Sequence, residues 1–125
     1  MIISEVEQQR AIRAGIQRLK SKPAPVISER EHTFQIARAL ALGSQQAKAQ
    51  ATATDGKYSK IFSQWLRQRG VRLHPNARAD LIYVGNHEAE IRALLARLDV
   101  GTPAVHRISG AFSMRRAHQA AAATA

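Results

Sequence analysis

The chain has 125 residues, with 19 Lys and Arg against 9 Asp and Glu, a formal charge of +10. That length fits one domain, and no run approaches the roughly 18 apolar residues of a membrane helix, so a soluble protein is expected. The absence of cysteine excludes disulfide frameworks, thiol catalysis and Cys-ligated zinc fingers. It is compatible with a reducing cytoplasm, the compartment expected. The opening Met1-Ile-Ile-Ser-Glu-Val-Glu reads as neither a secretory signal nor an acid-poor transit peptide.

Residues 1–60 and 61–125 share the excess charge equally, but all five lysines lie in the first half, and every base after Lys60 is arginine. So strong a positive balance in a small domain points to a polyanionic partner, most often nucleic acid. Arginine's planar fork suits phosphate and guanine, although a bias toward arginine codons accounts for its preponderance equally well.

Apolar residues recur at helical spacing, and two-residue alternation is absent. Ile12, Ile16 and Leu19 mark a first helix over roughly residues 3–20, broken by Ser21-Lys-Pro-Ala-Pro25. Ser28 and Glu31 form a capping box that starts a second helix through Phe34, Ala37 and Ala41. Gly43-Ser44 either ends or weakens it, and residues 44–54, small and polar, read as an exposed helix or a linker.

Tyr58, Ile61, Phe62, Trp65 and Leu66 form the strongest amphipathic stripe, closed by Gly70. At this spacing they are core residues rather than a base-stacking platform. A short helix follows Pro75-Asn76 and buries Leu81, Ile82 and Val84, until Gly85-Asn86 stops it and caps the next. That next helix, opened by Glu88 and Glu90, buries Ile91, Leu94, Leu95 and Leu98. Thr102-Pro103 signals a last helix lined by Val105, Ile108 and Phe112. The expectation is an all-α bundle of five or six helices. Residues 1–54 would supply N-terminal helices for support or dimerisation, residues 55–116 a DNA-binding core, and residues 117–125 a frayed Ala-rich tail.

The segment from Leu94 to Ile108 resembles a helix-turn-helix unit of the repressor type. Leu94 and Leu98 match the apolar pair of the first helix, Val100 the apolar residue after the turn, and Val105 and Ile108 the buried positions of the recognition helix. The chain departs from that pattern at Leu95, where a small residue is usual, and at Asp99, where glycine is usual. The resemblance covers about twenty residues and implies a C-terminal helix-turn-helix whose second helix enters the major groove. Thr102, Ala104, His106 and Arg107 would then lie at its start, with Thr102 on a phosphate and Arg107 reading guanine beside His106. Arg115 and Arg116 would contact the backbone further along.

A second basic cluster, Arg67, Arg69, Arg72 and His74 with Arg78 nearby, reads as a phosphate grip, or simply as cations at a helix C-terminus. The expected role is a sequence-specific binder of double-stranded DNA, a small transcriptional regulator, with homodimer pairing left open by the sequence. The alternatives are a basic interaction protein that docks on an acidic protein or ribonucleoprotein, and a non-specific nucleic-acid packaging protein.

Catalytic and cofactor motifs are missing. His87-Glu88 lacks the second histidine that a zinc-protease helix requires, since Ile91 stands there. The five histidines, at 32, 74, 87, 106 and 118, have no metal-ligand spacing, and the glycines form no phosphate loop. Neither an enzyme nor a cofactor or metal site is expected.

Overall fold

The computed structural model describes residues 3–21 and 28–124; the Pro23–Pro25 break expected between the first two helices lies outside them. Among the described residues there are six α-helices and no strand: α1 (Glu5–Leu19), α2 (Glu29–Thr54), α3 (Tyr58–Gln68), α4 (Pro75–Asn86), α5 (Glu88–Leu98) and α6 (Ala111–Ala123).

Local signals place most of the boundaries. The hydroxyls of Ser4 and Ser28 accept the Glu7 and Glu31 backbone N–H groups and so start α1 and α2. Only half of the expected capping box forms, because the Glu31 carboxylate pairs with Arg92 of α5. Gly70, at φ +68°, closes α3 in a Schellman turn, with the Val71 N–H donating to the Leu66 carbonyl at 3.0 Å. Pro75 opens α4 behind a His74 cap, whose Nδ1 accepts the Asn76 N–H at 3.1 Å.

The undecided stretch 44–54 belongs to α2, which runs on to a left-handed cap at Asp55. Gly43 does not terminate it. A Cβ there would lie 2.3 Å from the Trp65 ring, so the glycine is the slot that admits the indole. Buried Ser44 meets the Tyr58 hydroxyl at 2.6 Å, a second tie between α2 and α3. Gly85, read as a stop, is a close-packing position within α4: a Cβ on it would sit 2.3 Å from the Ala37 carbonyl oxygen of α2. The chain continues to Asn86, and the single residue His87 caps both α4 and α5.

Helix α2 is therefore the central element. Its Ile36, Leu40 and Ala47 join Ile12, Phe62, Trp65, Leu66 and Val71 in one core cluster. Its Phe34 and Ala37 join Val84, Ile91, Leu95 and Met114 in the other. Burying each large side chain contributes about 1.5–3 kcal/mol. Both clusters combine residues from either side of position 54.

The C-terminal third departs from expectation. No helix starts at Thr102: Ala104–His106 is one 3-10 turn, Arg107 is extended, and α6 begins only at Ala111. Val105 is 86% and Phe112 60% exposed, so neither lines a buried helix face, and Leu98 is 47% exposed. The cause is tertiary. Arg30 of α2 binds Asp99 at 2.7 Å and donates twice to the Ile108 carbonyl, at 2.7 and 2.9 Å. The Thr33 hydroxyl donates to the Ser109 carbonyl at 2.7 Å. These contacts hold residues 99–110 as a strapped loop, and Gly101 at φ +75° turns the chain into it. The tail expected to fray continues instead as α6 to Ala123.

Candidate nucleic-acid interface

The C-terminal residues expected to read DNA are dispersed or already engaged. The Thr102 hydroxyl donates to the Leu98 carbonyl at 2.8 Å, finishing α5 rather than starting a recognition helix. His106 is exposed on the 3-10 turn, and Arg107 Nε lies 4.0 Å from Asp99 Oδ1. Arg115 pairs with Asp80 at 3.2 Å and lies over the Tyr83 ring, while Arg116 lies over Phe112. The helix-turn-helix geometry expected over residues 91–110 is thus not formed, because its second helix is replaced by the strapped loop.

Charge is sorted across the molecule. At the α2–α5 end, arginines meet acids. Glu88 accepts from Arg38 at 3.0 and 2.6 Å and from Arg92 at 2.8 Å, and Arg92 also donates to Glu31 at 2.9 Å. Hydrogen bonding by Arg92 holds the Glu31 carboxyl below its usual range. Burial opposes ionisation of Glu88, yet the Arg38 and Arg92 hydrogen bonds bring its pKa down. Arg30 does the same to Asp99.

At the α1–α3 end this neutralisation stops. Between Ser44 and Ala79 the chain carries Lys48, Lys57, Lys60, Arg67, Arg69, Arg72 and Arg78 with Asp55 as the only acid. None of these bases makes an ion pair among the described residues. The inner stripe of α3 is buried in the core as expected. Its outer face exposes Ser59, Lys60, Ser63, Gln64, Arg67 and Gln68, a polar surface without a carboxylate.

Beside that face an open groove of about 940 Å³ runs between α1 and the end of α3. Arg13, Gln17 and Lys20 line it from α1, and Arg67, Gln68 and Arg69 from the other side. Gly70 leaves room for Lys20: a Cβ there would fall 3.1 Å from Lys20 Nζ. Arg69 stacks 4.1 Å over Trp65 and donates to that residue's carbonyl, and burial pushes its pKa down. It is a fixed wall of the groove, whereas Arg67 and Arg72 are exposed and Arg78 half-buried at the start of α4.

The expected cluster of Arg67, Arg69, Arg72 and Arg78 thus lies along one stretch, from the end of α3 to the first turn of α4. Lys60 and Gln68 are expected on the polar face of α3, whereas sequence reasoning missed Arg13, Lys20 and Gln64. The outward residues of α3 were legible as the complement of its apolar stripe, but the approach of α1 was not. The structure also brings together His87, Glu90 and His118, whose ligand atoms lie within 4.8 Å of one another although their sequence spacing forms no metal motif. Comparison with protein families, curated proteins and solved structures finds no match for this chain.

Proposed function

We propose that the protein binds double-stranded DNA through the outer face of α3, with the α1–α3 groove and the start of α4 gripping the backbone. The supporting observation is a set of bases without ion pairs among the described residues: Lys60 and Arg67 on an α3 face that carries no carboxylate, Arg13 and Lys20 along the adjoining groove, and Arg72 and Arg78 following in the chain. A helix about 10–12 Å across fits a major groove about 12 Å wide, and the 11 residues of α3 give about 16 Å of it to lie there. Gln64, Arg67 and Gln68 carry the donors and acceptors that suit adenine and guanine edges. Such readout would serve a small transcriptional regulator.

Fluorescence anisotropy with duplex DNA at several salt concentrations tests this reading. Four to six neutralised phosphates give a log–log salt slope of about −4 to −5, or roughly 10²–10³ in affinity between 50 and 200 mM salt. Selection from a random duplex pool tests sequence readout, and enrichment of one site separates a regulator from a packaging protein. Absence of duplex binding at low salt overturns the proposal. One feature favours the second reading, a protein-binding role: Val100, Val105 and Phe112 project from the strapped loop and the start of α6, giving a protein partner apolar surface to cover.

A further inference from the structure

We propose that His87, Glu90 and His118 form a site for one divalent transition-metal ion of the zinc class, independent of the nucleic-acid surface. The three side chains come from two helices and the junction before them, and each offers one ligand atom within 4.8 Å of the others. His118 Nε2 lies 3.2 Å from Glu90 Oε2, and His87 Nδ1 lies 3.8 Å from the same oxygen. In a tetrahedral zinc site with bonds of about 2.1 Å, donors stand about 3.4 Å apart. The two spacings to Glu90 bracket that value and the two imidazole donors lie within 4.8 Å of each other, so rotations of exposed Glu90 and half-buried His87 complete the set.

The backbone positions these groups firmly. His87 sits at the one-residue junction of α4 and α5; its N–H donates to the Tyr83 and Val84 carbonyls, and its own carbonyl accepts from Ile91. Glu90 lies three residues on, hence on the same side of the helix. His118 arrives from α6, four residues after the fully buried Met114. Its ring stacks on His87 with centroids 4.9 Å apart, and its Nδ1 lies 2.7 Å from the Tyr83 hydroxyl.

Two features distinguish this cluster from a chance surface grouping. The first is Glu90 itself. Glu88, two residues earlier, is saturated by arginines, whereas Glu90 faces only the two histidines. Arg115, which lies over the Tyr83 ring, is occupied by Asp80. The carboxylate thus stays free to ligate. The second is Tyr83, the outer partner that a ligating imidazole requires. When Nε2 of His118 takes the metal, its proton resides on Nδ1 and is donated to the Tyr83 oxygen, whose own proton turns away. With three protein donors, the fourth position falls to water. The ion would clasp α6 to the α4–α5 junction.

Tag-free, full-length protein titrated with Zn²⁺ by calorimetry provides the test, with Co²⁺ absorption reporting four-coordination. The expected result is one ion per chain at micromolar affinity and a rise of several degrees in Tm with excess Zn²⁺. His118→Ala, His87→Ala and Glu90→Gln should each weaken binding at least tenfold. Tyr83→Phe, which keeps all three ligands, should weaken it about tenfold. His74→Ala and His106→Ala should leave it unchanged. If His118→Ala fails to fold, His87→Ala and Glu90→Gln, changed at partly exposed positions, carry the test. Absence of saturable binding at millimolar Zn²⁺, or affinity untouched by the His87 and Glu90 changes, overturns the proposal.

Discussion

Gly43→Ala probes how closely α2 and α3 must fit in the core. The added Cβ falls 2.3, 2.4 and 2.7 Å from Cη2, Cζ2 and Cζ3 of Trp65. Ordinary carbon contacts are about 3.5–4.0 Å, so the indole must retreat by roughly 1 Å. It has little room, because Phe62 packs beside it and the Arg69 guanidinium lies 4.1 Å over its ring. Overpacking of this kind costs about 1–3 kcal/mol. Alanine recovers about 0.5–1 kcal/mol through its better helix propensity. The net expectation is a loss centred at about 1 kcal/mol and reaching at most about 2.5 kcal/mol, or roughly 4 °C in Tm at the centre. Trp65 is the only tryptophan, so its fluorescence reports urea unfolding and also the displaced ring. Trp65→Leu combined with Gly43→Ala should cost less than the sum of the two single changes, because the clash is then absent. A stabilised Gly43→Ala protein, or strict additivity in the cycle, would refute the slot.

Three further outcomes are expected. Arg30→Ala removes the strap on residues 99–110 and should cost about 1–3 kcal/mol, with faster hydrogen exchange confined to that loop; unchanged exchange there would show that the loop holds itself. In the native state the Glu31, Glu88 and Asp99 carboxyls lie below their ordinary values of 4.5, 4.5 and 3.8. Because folding depresses them, their contribution is complete above those values and is lost as pH falls through the native ones. Tm should therefore drop below about pH 4.5, and less steeply in Glu31→Gln/Glu88→Gln; identical profiles for the two proteins would contradict the assignment. For DNA binding, Lys60→Ala/Arg67→Ala should flatten the salt slope by about two. Arg107→Ala should leave it unchanged, and the reverse ranking would return the interface to the C-terminal loop.

Features that rest on neighbours within a few residues were legible in the sequence. The Ser28 cap, the Pro75 start, the Gly70 stop and the buried stripe Phe62–Trp65–Leu66 each follow from interactions within a turn or two, and they yield an all-α chain with nearly correct boundaries. The basic cluster at the end of α3 was legible for the same reason. Tertiary structure decided whatever depends on a distant partner. Gly43 and Gly85 look like helix stops until Trp65 and the Ala37 carbonyl are placed against them. Thr102-Pro103 looks like a helix start until Arg30 and Thr33, some seventy residues away, take up the loop's carbonyls. His87, Glu90 and His118 have no sequence pattern in common, because α6 reaches the α4–α5 junction only when Met114 is buried beside Val84 and Ile91. Capping and amphipathic periodicity are local energies, summed along the chain; which helices touch depends on side-chain fit between segments that sequence order leaves apart.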